Sequence, residues 1–542
     1  MSWSASAPSQ SKDAQPPLAH FTSRASLVLV PTIVTDKSGA AIVGLTKDDF
    51  YLVDNKQAQK ISIFEEVSTR PGEIRRVDPH DNGFTNAVSP ESKTQRLTMI
   101  LLDTLNTQFS DQARGRRELL KLVEETLKPG EPVALLNITS SGLNVLNDFT
   151  TDPAVLAAAI KKVRGEPSTA ERSADDQADM ESSLQLRSQM GRAPNSEGMI
   201  ADSLNGFQNS AFERFQQFQL ANSADTTLRA LRQIAESFSG VPGRKSLIWL
   251  TGGLPFEADD PTTFQLGYSE LLEHYEATWN ALNDAQIAVY PLDMGGLFNP
   301  GYVSPRFRRV VRSRRAIDSV SNLESLAKMT GGKFCEHKMN LIGCYNEAQQ
   351  DAGHYYLIGF YTDTSKGKPG WRKVDVSVAK PQLQVRARTS YYVPGKPRDP
   401  VKAEREDMDT AVVSPTDFTA VPMLVRWTGR AADGEKVKLS FRFNVASAGI
   451  SLDESTHRLG LVFAAFAKTP KGGIAGDFVK ELEGNLPAAT AEQVALHGVV
   501  YDGAISVAPG KYIVRFIVRD NASGRLGTVS VPVNAEQVAA GN

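Results

Sequence analysis

Cysteine is almost missing from this chain, which holds only Cys335 and Cys344 in 542 residues. The two do not form a CxxC pair, and the seven histidines are scattered, so a four-ligand structural zinc site is excluded. A disulfide across the short loop and two separate buried thiols both fit their spacing. Long apolar runs are missing too. Met99 to Leu102 and Ser246 to Leu250 are strand-sized, well short of the roughly 18 residues a membrane helix needs, so the protein is not expected to span a membrane. Charge of one sign is lacking: Lys+Arg 60 against Asp+Glu 62 leaves a formal net charge of −2, with no global basic field to recommend nucleic acid. No Gly-x-Ser-x-Gly elbow, phosphate-binding loop, HExxH or dinucleotide-binding GxGxxG occurs. What is present, 41% hydrophobic and 23% charged residues, is the composition of a globular chain of about three or four domains.

Residues 1–25 are polar, lack the basic and apolar regions of a signal peptide, and are expected to form a flexible leader. Residues 26–68 alternate short apolar stretches with turn chemistry such as Lys37-Ser38-Gly39 and predict three strands, too few to be stable alone. The same alternation returns in HYYLIGFYT, RKVDVSVA and QVRARTSYY, within 354–395, so the two segments are expected to form one split β-sandwich. Between them, after a polar linker at 69–95, four continuous apolar runs alternate with helical patterns: LTMILLD, PVALLNI, KSLIWLT and QIAVYPLD. That rhythm predicts a doubly wound, mainly parallel α/β sheet over 96–353. It is interrupted at 165–225 by a Ser, Gln and Arg-rich insertion, expected to be disordered near 166–201 and helical around Leu204 to Leu220. A charged linker at 396–420 leads to 421–534, where strands separated by Gly, Asp and Asn turns predict an Ig-like β-sandwich.

The phrases LVPTIVTDKSGAAIVGLTKDDFYLVDNKQAQKISIFEE, LLDTLNT, GRKSLIWLTGGLPF, IAVYPLDMGGL, LAKMTGGKF and HYYLIGFYT together resemble the bacterial von Willebrand factor A-related domain family over most of Ser26 to Val393. The resemblance implies an A-type domain in an exported protein. It also implies a divalent-cation site, built from an Asp-x-Ser-x-Ser loop after the first strand plus a Thr and an Asp from two other loops. Here the loop reads Asp103-Thr104-Leu105-Asn106-Thr107, and Thr251-Gly252-Gly253 stands where Thr-Asp-Gly is expected. Asp103 and Thr107 are kept, Leu105 and Gly252 offer no side-chain oxygen, and Thr226 or Thr227 is the candidate for the remaining Thr. The expectation is a degenerate site with at most weak Mg²⁺ binding and no required cofactor. The competing expectation is that Asp103 and its hydroxyl neighbours cap the following helix. Because the family is usually exported, Cys335 and Cys344 are expected to pair in an oxidising compartment.

The carboxyl ends of parallel strands are where ligands sit in open α/β sheets. There the sequence places Asp103, Asn106, Thr107, Thr251 and Asp293, the expected partner-binding residues. Arg306, Arg308, Arg309, Arg312, Arg314 and Arg315 put six arginines in ten residues, a candidate patch for an anionic partner. His274, His337 and His354 stand in no phrase that supplies a nucleophile. The expected function is a non-enzymatic, extracytoplasmic binding or adhesion module for a protein or glycan of the cell envelope or extracellular space. The alternative is a hydrolase with an unrecognised active site.

Overall fold

The computed structural model describes residues 25–72, 83–89, 95–127, 130–169, 171–172, 197–259, 269–294, 319–335, 341–363, 370–393, 399–453 and 455–536. The arginine cluster from Arg306 to Arg315, His337, and the leader apart from Ala25 lie outside them.

The first segment gives β1 (Ala25–Thr35), β2 (Phe50–Asp54), β3 (Gln57–Ala58), β4 (Ile63–Ser68), β5 (Arg70–Pro71) and β6 (Phe84–Thr85). The centre of the chain follows as β7 (Gln95–Asp103), α1 (Phe109–Glu125), β8 (Val133–Thr139), β9 (Gly142–Thr150), α2 (Pro153–Lys162), α3 (Glu197–Phe238), β10 (Lys245–Thr251), α4 (Ser269–Asp284), β11 (Ile287–Asp293), α5 (Ser319–Thr330) and α6 (Leu341–Gly353). Its sheet has the order β11-β10-β7-β8-β9, with β5 on the start of β7. Successive residues of a strand face opposite ways, and the two faces are buried separately. Met99, Leu101, Leu247 and Trp249 pack on α3, α4 and α5 through Leu231, Tyr275 and Leu323. Ile100, Leu102, Ile248 and Leu250 pack on α1, α2 and α6 through Leu119, Leu156 and Leu341.

Next come β12 (His354–Asp363), β13 (Gly370–Val378), β14 (Gln384–Arg386) and β15 (Ser390–Val393). They pair with the opening strands in two sheets, β14-β1-β12-β4 and β15-β13-β2-β3, which share a core of Val30, Phe50, Tyr356, Ile358 and Val376. The chain closes with α7 (Pro400–Val413), β16 (Met423–Asp433), β17 (Lys436–Val445), β18 (Arg458–Lys468), β19 (Ile474–Asn485), α8 (Ala488–His497), β20 (Val499–Val507), β21 (Gly510–Asp520) and β22 (Leu526–Ala535). These strands form a β-sandwich of two four-stranded sheets, β20-β17-β16-β6 and β19-β18-β21-β22, around Phe441, Phe443, Phe463 and Phe516.

The expected fold class is overturned. Of the five sheets among the described residues, four are antiparallel throughout, and parallel pairing is confined to the one holding β7, β8, β10 and β11. The chain as a whole is therefore a mostly antiparallel β protein, not a doubly wound, mainly parallel α/β fold. The apolar runs drew attention because each is continuous, whereas the more numerous half-buried strands announce themselves only by alternation. The C-terminal β-sandwich reaches beyond 421–534, since one of its sheets takes in β6 from far upstream, through Leu424↔Thr85 and Val425↔Phe84.

Three expectations about connections change as well. The 396–420 linker contains α7, started by Asp399, whose side chain accepts from Val401 N at 2.9 Å and Lys402 N at 3.1 Å, with Pro400 in the first turn. The 69–95 linker contains β5 and β6. Within the insertion, Glu166 to Thr169 are ordered against the sheet edge, and the helix expected around Leu204 to Leu220 is part of α3, which is 42 residues long and continues past the end of the insertion to Phe238.

Candidate functional site

Asp103 ends β7 and is wholly buried, at 0% exposure. It does not cap α1, whose first turn follows Gln108 without a side-chain cap. The carboxylate is instead the centre of a local network. Its Oδ1 accepts from Asn106 N at 2.9 Å and Asn106 Nδ2 at 3.2 Å. Its Oδ2 accepts from Asn106 Nδ2 at 2.9 Å and from Thr251 Oγ1 at 2.8 Å. Burial pushes the carboxyl up to about 6, and the donors from Asn106 and Thr251 oppose that rise.

Asn106 reaches further, because its Nδ2 also donates to Thr227 Oγ1 on α3 at 3.0 Å. Thr226, the other candidate, turns its hydroxyl back to Asn222 O of its own helix. Thr107 is fully buried and its Oγ1 has no hydrogen-bond partner among the described residues. Thr251 stands at the end of β10, in register with Asp293 at the end of β11. Asp293 belongs to a second group: together with Glu171 it raises the Asp111 carboxyl, which burial lifts most and Arg114 lowers. The structure thus joins Asp103, Asn106 and Thr251, adds Thr227, and sets Asp293 one strand away.

Two bracing residues escaped the sequence reading. Gln112 Nε2 donates to the carbonyls of Thr104, Thr107 and Glu166 at 3.0, 2.7 and 2.7 Å, and its Oε1 accepts from Glu166 N. Glu171 accepts from Phe109 N and from Ser168 N and Oγ. Gln112 is wholly buried on the inner face of α1, and only the folded chain shows what these two residues tie.

The residues present do not fit a divalent cation. Hard cations need converging oxygens, but Leu105 supplies none, and an amide N–H donor already lies within hydrogen-bond distance of both Asp103 oxygens and Thr227 Oγ1. A carboxylate cannot stand at 252 either: a Cβ there would meet Asn106 O at 2.7 Å and Thr107 Cα at 3.0 Å. No group of three or more His, Cys, Asp or Glu with metal-binding geometry occurs among the described residues.

Two of the three histidines singled out in the sequence have carboxylate partners, and His337 lies outside the described residues. His274 Nδ1 pairs with Asp225, and its Nε2 faces Arg229 Nη2 at 3.4 Å rather than a hydroxyl. His354 Nε2 pairs with Glu66 at 2.8 Å. Cys335 and Cys344 are bonded to each other, with Cα atoms 5.6 Å apart, fastening the segment beside β11 to α6.

No family model and no curated protein matches this chain. A solved structure of the TFIIH p34 N-terminal domain is similar at 11% identity over 47% of this chain and 96% of that one, with a TM-score of 0.21. A likeness at that level carries no argument about fold or function. No helix among the described residues is long and apolar enough to cross a membrane.

Proposed function

We propose that the chain is a non-enzymatic binding module that presents the carboxyl ends of β7, β10 and β11 to a protein partner outside the cytoplasm. The observation that carries this reading is Phe109, 52% exposed at the start of α1, with its backbone N–H held by the Glu171 carboxylate. An exposed aromatic ring at a helix start whose backbone is braced in place has the makeup of an interface anchor. The buried network beneath it turns its polar groups inward, which makes a platform rather than a reaction centre. The resemblance to the von Willebrand factor A-related family supports the binding reading, and the Cys335–Cys344 disulfide supports an oxidising compartment.

The test is retention of an envelope partner by immobilised protein, quantified for wild type, Phe109→Ala, Glu171→Gln and a distant control, Val413→Ala. Loss in the first two variants with retention by the control is expected. Equal retention by all four would move the interface elsewhere, and retained glycan in place of protein would change the partner class. The hydrolase alternative rests on His274 and Asp225. Turnover of any ester, amide or glycoside substrate that disappears in His274→Ala would replace the binding reading.

A further inference from the structure

We propose that the Asn106 side-chain amide occupies the position of a cation in the Asp103 loop, so that the binding edge is permanently assembled and needs no metal. This rests on the reading of that edge as a binding surface, but its chemistry is local. Three oxygens converge on one electropositive group: Asp103 Oδ1 at 3.2 Å, Asp103 Oδ2 at 2.9 Å and Thr227 Oγ1 at 3.0 Å from Asn106 Nδ2. Those distances suit an amide donor, whereas Mg²⁺ would require oxygens at about 2.0–2.1 Å. The contacts also come from separate elements. Asp103 ends a strand, Thr227 sits on α3, and Asn106 lies in the loop between β7 and α1. A bound ion in such a place would tie helix, loop and strand together on binding and release them on removal. Here a covalently attached group does the tying, and it cannot be chelated.

The loop is adjusted to this arrangement. Gly252 lets the Asn106 and Thr107 backbone approach β10 closer than any side chain would allow. Gln112 holds the carbonyls of Thr104 and Thr107 from the other side. Thr107 Oγ1 is buried and has no hydrogen-bond partner among the described residues, and the loop's other hydroxyl, Thr104 Oγ1, donates to Ile138 O rather than meeting the amide.

The experiment uses metal alone on the full chain, with no partner present, so its failure is distinct from failure of the binding role. Melting temperature and Mn²⁺ binding, followed by electron paramagnetic resonance, are measured in EDTA and in about 10 mM MnCl₂, a concentration that would saturate even a weak site. Wild type is expected to bind no Mn²⁺ at the loop and to melt at the same temperature in both. Asn106→Asp replaces the donor by a carboxylate of the same shape facing Asp103. It is expected to melt several degrees lower in EDTA and to recover with Mn²⁺. Mn²⁺ bound by wild type and lost in Asp103→Asn would overturn the proposal. So would an Asn106→Asp variant that melts like wild type in EDTA and ignores the metal. If Asn106→Asp does not fold, Asn106→Ala decides: a melting temperature equal to that of wild type would show that the amide ties nothing.

Discussion

Replacing Asp407 tests how the C-terminal sandwich is fixed to the rest of the chain. Asp407 lies on α7 with 0% exposure and accepts from two arginines, Arg232 of α3 through Nη2 at 2.5 Å and Arg519 of β21 through Nε at 2.9 Å. Both guanidinium side chains are themselves nearly buried, at 7% and 6% exposure. One carboxylate therefore neutralises two cations belonging to different cores. Removing one partner of a buried ion pair typically costs about 3–5 kcal/mol, because the remaining charge has lost its compensation. Asp407→Asn keeps the shape and one acceptor but leaves two positive charges without a counter-ion, except for Glu236 at 3.6 Å from Arg232. A chain of this size need not unfold in one step, so the readout is native-state hydrogen exchange in 400–413. A loss of about 3–5 kcal/mol raises the exchange of those amides roughly a hundredfold to a few thousandfold. Acceleration of less than about tenfold would refute the reasoning and show that the apolar contacts of Ala411 and Phe418 hold the helix by themselves. If the Asn variant is not recovered folded, Arg519→Lys, which keeps the charge and loses the fork, is expected to give a smaller acceleration in the same amides.

Glu236 is lifted to about 7, by burial first, with Arg232 opposing and Asp407 adding to the rise. A folded value above the unfolded one means that stability falls as pH rises from about 4.5 to 7. Glu236→Gln is therefore expected to raise the melting temperature at pH 8 and to lose that advantage near pH 5, and equal destabilisation at both would show the ion pair with Arg232 to be net favourable. Reducing Cys335–Cys344, which spans a sequence separation of 9, removes about 2.5–3 kcal/mol by the loop-entropy estimate, checked by urea denaturation with and without reductant. Gly252→Ala brings a Cβ to 2.7 Å from Asn106 O and is expected to cost about 1–3 kcal/mol. An unchanged denaturation midpoint would mean that the loop moves freely.

Strands were legible in the sequence where burial leaves a local mark, and their partners were not. LTMILLD and KSLIWLT each hold a continuous apolar run because both of their faces are covered, which can be read without any partner in view. QVRARTSYY reads as a single strand, yet β14 joins the sheet of β1 while β15 joins that of β13, with Thr389 N donating to Lys328 O between them. Nothing local says where such a segment changes sheets. The missed helix α7 is a different case, because the signal was present: Asp399-Pro400 is a helix start, outweighed by the charges that follow it. At the site, Asp103 and Thr251 stood out as polar groups at the ends of apolar runs. The part of Asn106 did not, since a loop asparagine usually serves its own turn, and its second contact is with Thr227, across 121 positions of sequence.

The two buried polar clusters have the same physical logic. Each sits where elements remote in sequence converge, Asp103 among β7, β10 and α3, and Asp407 among α3, α7 and β21. In each, one carboxylate accepts from several donors in a region of low dielectric, where a missing donor costs more than a present one contributes. Such clusters add little net stability over an apolar filling but tolerate only one arrangement of the elements they join. α3 belongs to both: Thr227 reaches the sheet edge and Arg232, a little over one turn further on, reaches Asp407 of α7, which Arg519 of the C-terminal sandwich also holds. A shift of this helix along its axis would break the two clusters together, so the edge that carries Phe109 and the sandwich beyond α7 are held in one register by one element. Under the proposed binding role, partner choice would fall to the exposed groups around that edge, which can change without disturbing the scaffold that positions them.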